Sequence, residues 1–425
     1  MFDKKKLKDI SVLIGSGITP SRTNTSYWEN GSISWVKTEQ IGEHQIFDSN
    51  EKISDKALSE TSIKLFPPYT ISIAMYGEGK TRGNVSILKR EMTTNQACCN
   101  IVLDSAKANY EYVYYYLKTQ YHQLRSLSSG VRSNLNSNDI KEYTVCLPNE
   151  LHIQQKIAAA LSCLDAKIEL NNKVNDNLEQ TARTLYSYWF VQFDFPDKNG
   201  KPYKSSGGKM VYNEVLKREI PRGWKVAELR HYLTANRGVS YSGKDIVNGG
   251  ISMINLNSFN INGTFKIGGT KSFSGDYTFS KVLKPLDLVM CNTQQTALDP
   301  QKDIIGKSFL VPDIFDTEII SSHHVTTIKV KDDDLKFYLN SLFNTDYFHR
   351  YISGYSTGTN ILGLNFEGVL SYWTEIPTNE LLSQYKNFIL NVEKQKNRII
   401  KENQQLTQLR DWLLPMLMNG QVKID

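Results

Sequence analysis

Two stretches of the chain carry a long helical rhythm in the same phase. Ile157, Leu161, Leu164, Ile168, Asn171, Asn175, Leu178, Ala182, Leu185 and Trp189 follow one another at alternating steps of four and three. A shift of 228 positions gives Tyr385, Ile389, Val392, Lys396, Ile399, Asn403, Leu406, Arg410, Leu413 and Leu417. That spacing places residues on one stripe of an α-helix and, when sustained, marks a heptad seam. The flanks are polar, as in Lys167, Glu169, Lys173, Asp176 and Glu179. A helix of ~30 residues is about 45 Å long. Asn175 and Asn403 fall at equivalent seam positions, where a polar residue fixes register at some cost in stability.

The words that open the two helices also match. Leu147-Pro148-Asn149-Glu150-Leu151 with Gln154-Gln155 precedes the first; Ile376-Pro377-Thr378-Asn379-Glu380-Leu381 with Gln384 precedes the second. Upstream of each lies β-rich sequence whose pieces correspond. Asn30 to Trp35 pairs with Asn248 to Met253, Pro68-Tyr69-Thr70-Ile71 with Pro285-Leu286-Asp287-Leu288, and Gly83 to Ile87 with Gly306 to Leu310. Alternation at Ile71/Ile73 and Val85/Ile87 predicts strands bounded by Gly and Asn turns. Tyr110 to Arg125 and Leu335 to Tyr351 read as helices. The fold class is therefore α+β with an internal repeat: a first module over 1–147, a central helix over 148–195, a Gly/Pro/Lys linker over 196–223, a second module over 224–376 and a distal helix over 377–425. Such a chain holds two similar modules in fixed relation, which suits measuring better than it suits a single catalytic pocket.

Composition narrows the partner class only a little. The chain has 425 residues, 40% hydrophobic and 22% charged, enough for two or three domains. A net charge of +6 permits a polyanion. The abundant Tyr, Asn and Gln are side chains suited to reading base edges. No apolar run is long enough for a membrane span, and the basic start leads into no signal-peptide pattern. Cys98, Cys99, Cys146, Cys163 and Cys291 form no CxxC or zinc spacing, which fits reduced thiols and a cytoplasmic location.

Several motifs tempt and fail. Ala74 to Thr81 satisfies a loose phosphate-loop pattern, but Arg82 to Ile87 after it reads as turn and strand, whereas a phosphate loop opens a helix. Gly238 to Lys244 ends in Asp245 where Ser or Thr is needed. Phe66-Pro67-Pro68-Tyr69 resembles the Asn/Asp-Pro-Pro-aromatic motif of amino-group methyltransferases, but Phe66 cannot accept a hydrogen bond. His323-His324 has no catalytic partners in sequence, and Asp332-Asp333-Asp334 reads as a solvated turn more readily than a metal loop. No catalytic or metal residue is assigned. What remains is polar and basic loops in matching places: Arg22, Lys37, Lys80, Thr81, Arg82, Asn95, Gln96, Arg132 and Asn134 in the first module, and Arg237, Tyr241, Asn255, Asn257, Asn292, Gln294, Gln295, His323 and Asn360 in the second. Arg suits guanine and phosphate; Asn and Gln suit adenine.

At this point the chain resembles the specificity subunit of type I restriction-modification systems. The resemblance rests on the duplication and on Gly17-Ile18-Thr19-Pro20, Gln154-Gln155-Lys156-Ile157-Ala158, Tyr188-Trp189-Phe190-Val191, Phe193-Asp194-Phe195, Gly200-Lys201-Pro202-Tyr203 and Ile220-Pro221-Arg222-Gly223-Trp224. It implies two target-recognition domains joined by an antiparallel coiled coil, each reading one half of a split site in double-stranded DNA. The expected seam is Ile157, Leu161, Leu164, Ile168, Asn175, Leu178 and Leu185 against Ile389, Val392, Ile399, Asn403, Leu406 and Leu413. The resemblance also implies two methyltransferase partners, with S-adenosylmethionine bound there and no cofactor in this chain, and motor-nuclease subunits in the full complex. One departure is that Gly17-Ile18-Thr19-Pro20 becomes Gly238-Val239-Ser240-Tyr241 in the second copy. The competing reading is a scaffold or decoy that docks the methyltransferase without reading DNA.

Overall fold

The computed structural model describes residues 2–42, 44–77, 81–127, 134–295, 303–359 and 361–422. The chain divides into two compact units, 1–170 with 403–425, and 171–402. Each holds one mixed α/β module and part of each long helix. The central helix runs Leu151–Tyr186 and ends in a π turn, Ser187–Val191; the distal helix runs Asn379–Met418.

In the first unit, a five-stranded sheet takes the order Ser11–Ser16, Cys98–Leu103, Ile71–Ala74, Val85–Leu88, Gln45–Ile46. In the second, a four-stranded sheet runs Leu233–Arg237, Val325–Val330, Leu288–Cys291, Ser308–Leu310. The first four strands correspond one to one. Pro68 and Pro285 explain the matching words ahead of these sheets: the residue after each, Tyr69 or Leu286, takes φ 69° and donates its N–H across the sheet, to Leu88 O at 2.7 Å and Val311 O at 2.8 Å. Both expected module helices break once, at the same place. Tyr110–Thr119 is followed by Tyr121–Ser126, and Asp333–Phe343 by Asp346–Ser353. The acidic triplet opens a helix rather than forming a turn: Asp332 caps it through Asp334 N at 2.9 Å, while exposed Asp333 and half-buried Asp334 pair with Lys386.

The segment expected as a linker is built. Met210–Asn213 and Arg218–Pro221 form a hairpin, and Phe195 stacks on Tyr203 and Trp224 at 4.7 and 5.5 Å between centroids. The aromatic residues near its ends supply packing that a purely Gly/Lys-rich tether lacks.

Within each unit the helix segments run antiparallel. In the first, Ile157, Ala158 and Leu161 share a core with Leu414, Leu417 and Met418, and Asp165 accepts from Arg410 Nη1 and Tyr115 OH, each at 2.6 Å. In the second, Asn171 donates to Glu402 at 3.1 Å, and Lys396 pairs with Glu179 and, at 2.8 Å, with Glu393. Of the expected seam, Ile157, Leu161, Ile389 and Val392 are buried. Leu164, Ile168, Asn175, Leu178, Leu185, Ile399, Asn403, Leu406 and Leu413 are half-buried. Two helices cover only part of each other's stripe, and much of what they do cover is ion pairs rather than leucine.

Two predictions follow from this packing. A Cβ on Gly238 would lie 2.2 Å from the carbonyl oxygens of both Ser321 and Ser322. Backbone cannot swing aside as a side-chain tip can, so Gly238→Ala should destabilise the chain by about 1–3 kcal/mol, read as a lower melting midpoint. His44 lies 3.4 Å from Asp165 and stacks on Tyr114. Burial is the largest influence and holds its pKa down at about 4; Asp165 opposes this, but Arg410 and Tyr115 already occupy that carboxylate. The unfolded state therefore takes up the proton first as pH falls. His44 contributes stability that is fully present above pH 6.5 and lost toward pH 4, at most about 3 kcal/mol. Chemical denaturation at stepped pH should show a shallower decline over that window for His44→Gln than for wild type.

Candidate nucleic-acid interface

Part of the predicted polar set gathers where the chain leaves the first strand of each main sheet and crosses the end of a neighbouring strand. In the first module Gly17 N donates to Cys98 O at 3.2 Å and Ile18 N to Thr94 O at 3.0 Å. In the second, Gly238 N donates to Val325 O at 3.0 Å and Val239 N to Ser321 O at 2.7 Å. The glycine is needed for the approach itself: a Cβ on Gly17 would sit 2.1 Å from Thr94 O. This shared hydrogen bonding makes Gln96 and His323 equivalent positions. The strands beneath agree, since Trp35 and Val36 pair with Thr93 and Thr94 as Met253 and Ile254 pair with Ile320 and Ser321.

The side chains on this common frame differ. In the first module, exposed Gln96 accepts from Thr19 Oγ1, and Asn95 Oδ1 accepts from Ala97 N at 3.2 Å. Arg22 lies 3.6 Å over Trp28 and pairs with Glu51 at 2.6 Å; Lys37 pairs with Glu51 at 2.6 Å and with Glu39 at 2.9 Å. The Glu51 and Glu39 carboxylates hold the Lys37 pKa above the ordinary lysine value. Thr81 and Arg82 lie in the turn before Val85, where Arg82 O accepts from Arg125. Asn134 is exposed, and Lys80 and Arg132 lie outside the described residues.

In the second module, Arg237 is exposed and its carbonyl accepts from Lys281 Nζ. Tyr241 OH accepts from Lys271 Nζ at 2.8 Å, and its ring lies 5.7 Å from His323, whose ring is tilted against that of His324 at 3.9 Å between centroids. Burial lowers the His324 pKa, and His323, Lys271 and Arg237 lower it further. Asn257 is exposed, Gln295 lies in the strand Thr293–Gln295, and Asn360 lies outside the described residues.

Three expectations are corrected by burial. Asn255 bonds Gly269 O at 2.5 Å and caps the turn at Asn257 N; Asn292 Nδ2 bonds Thr326 Oγ1 at 2.8 Å; Gln294 accepts from Ile304 N. All three are nearly inaccessible, so their amides hold the loops rather than face a ligand. Sequence reasoning missed Lys271 and Glu51. The register exposes them, because Glu51 pairs opposite Trp35 as Lys271 does opposite Met253. Among the described residues, no group of three His, Cys, Asp or Glu side chains is placed to hold a metal, and no helix is long and apolar enough to cross a membrane.

Comparison with known proteins agrees with this architecture. Residues 1–180 match the type I restriction modification DNA specificity domain. The chain is 27% identical over its full length to 94% of the MjaIX type I specificity subunit of Methanocaldococcus jannaschii. It is 24% identical over 72% of its length to 74% of the HindI specificity subunit of Haemophilus influenzae. A crystal structure of the type I restriction-modification S subunit from M. genitalium superposes with a TM-score of 0.57 over 98% of this chain and 96% of that one, at 14% identity, which shows a shared fold. Residues 1–180 thus carry the type I restriction modification DNA specificity domain, and over its full length the chain is similar to specificity subunits of type I restriction-modification systems.

Proposed function

We propose that this chain reads a bipartite site in double-stranded DNA, one half with each module, as the non-catalytic component of a methyltransferase and endonuclease assembly. The observation that carries this reading is the repeated crossing. One backbone frame presents Thr19, Asn95 and Gln96 in the first module and Tyr241, His323 and His324 in the second. A fixed frame with different polar side chains is what two readers of different sequences require, since base identity is read by donor and acceptor placement. In this reading 1–147 and 224–376 are the target-recognition domains, 196–223 joins them, and the helices within 148–195 and 377–425 set the spacer and dock two methyltransferase subunits. Those partners bind S-adenosylmethionine, restriction subunits join for cleavage, and the complex works in the cytoplasm. Arg22, Lys37, Gln96, Arg237, Tyr241 and His323 are the side chains best placed to meet DNA, with Thr81, Arg82 and Asn134 as further candidates in the first module.

The test is module exchange. Residues 1–147 are replaced by the first module of another family member, and methylated positions are mapped with the methyltransferase partner present. One half-site should change and the other persist. A change in both halves together contradicts two independent readers. Assembly with the partner but no sequence preference supports the scaffold or decoy reading instead.

A further inference from the structure

The two crossings carry opposite charge at one register position. Glu51 and Lys271 stand opposite Trp35 and Met253, which are themselves equivalent. Around them, Ser16 of the first module corresponds to Arg237, Lys37 to Asn255 and Glu39 to Asn257. In the first module Glu51 takes up both Arg22 and Lys37, so its cations are neutralised where they stand. In the second, Lys271 donates one N–H to Tyr241 OH at 2.8 Å, with its Nζ 4.9 Å from that ring. An ammonium has three donors and a phenol one, so the pair keeps two N–H groups and one O–H for an outside acceptor. The carboxylates on neighbouring segments are held elsewhere: Asp245 accepts from Ser242 N and Oγ at 2.7 and 2.8 Å, and Glu318 from Tyr277 OH at 2.6 Å. Lys271 and Arg237 both lower the His324 pKa, and the His323 and His324 Nδ1 atoms are buried without a hydrogen-bond partner among the described residues.

We propose that the second module's crossing grips a DNA backbone phosphate through Lys271 and Tyr241, with Arg237 adding charge, and that the first module's crossing, carrying Glu51 at that position, does not. The inference rests on the DNA-reading function above. A compact ammonium beside a phenol suits a phosphate oxygen, which orients the module on the duplex and carries no sequence information. The two half-sites then differ in kind: the second is held by a salt-sensitive contact that the first lacks at the equivalent place.

The experiment uses the chain assembled with its methyltransferase partner and duplexes carrying the mapped site, with binding read by fluorescence anisotropy from about 50 to about 200 mM salt. Lys271→Met keeps an unbranched aliphatic side chain and removes the charge. It should reduce the slope of log affinity on log salt by about 0.9, the value of one phosphate, and weaken binding several-fold whatever the base sequence of the second half-site. Lys271→Arg should retain the wild-type slope, which separates lost charge from lost folding. In a scan of single methylphosphonates across the second half-site, one position should weaken the wild type and leave Lys271→Met unaffected. A Lys271→Met slope equal to wild type overturns the proposal. So does a loss confined to one base sequence, which would make Lys271 a base reader. If the wild-type assembly itself binds no DNA, the function fails; if it binds and only the slope is unmoved, the phosphate grip alone fails.

Discussion

Charges that neither long helix satisfies alone decide how the helices meet. Asp165 on one helix is closed off by Arg410 on the other and by Tyr115 of the first module. In the second unit Lys396 lies between Glu179 across the pair and Glu393 on its own helix. Burial works against the charge on Lys396, and the two flanking carboxylates more than offset it, holding its pKa above the ordinary value. Removing one partner of such a group costs about 3–5 kcal/mol, because the other is left buried and uncompensated. A slip along the helices would do the same to every pair in a unit at once. Leucine packing tolerates neighbouring registers far better. The ion pairs therefore specify alignment, while the apolar ends, Leu161 with Leu414 and Tyr186 with Tyr385, supply adhesion.

The modules attached to this alignment solve one folding problem twice. A first strand, a glycine and a crossing under the end of a central strand produce the same hydrogen bonds from Gly17 and from Gly238. Because the backbone supplies those bonds, the side chains above them are free to differ. Glu51 and Lys271 differ by two charges at one register position while the strand opposite each keeps the same antiparallel and parallel neighbours. Specificity can then diverge on the crossing while stability is retained in the strands below, which is what a reader of two unlike half-sites needs.

The sequence exposed the duplication clearly. The matching words around Pro68 and Pro285 mark the same left-handed residue ahead of the same strand, a local rule that a reader of the chain can apply directly. The heptad rhythm located both helices, but it could not show that Lys396 and Arg410, sitting at seam positions, are paired across the helix interface. Their partners, Glu179 and Asp165, lie outside the apolar stripe, and only the antiparallel register brings them together. The site was less legible. Asn255, Asn292 and Gln294 look like base readers by residue type and are instead consumed holding loops. Lys271 carries no local signal of its own; the strand pairing sets it opposite Met253. A side chain's direction, inward to a carbonyl or outward to a ligand, is decided by tertiary register that no local pattern encodes.

If the helices fix the distance between two independent readers, lengthening them should lengthen the DNA spacer. The register identifies where: residue 171 lies opposite 402 and residue 179 opposite 396, so matched insertions belong between Asn175 and Asp176 and between Arg398 and Ile399. One heptad in each keeps the seam in phase and adds about 10 Å of helix. That corresponds to about three base pairs of duplex. The assembled enzyme is presented with a random-sequence DNA library and its methylated positions are mapped. The account predicts the same two half-sites separated by a spacer longer by about three base pairs. Methylation retained at the original spacer, with none at longer ones, would contradict it.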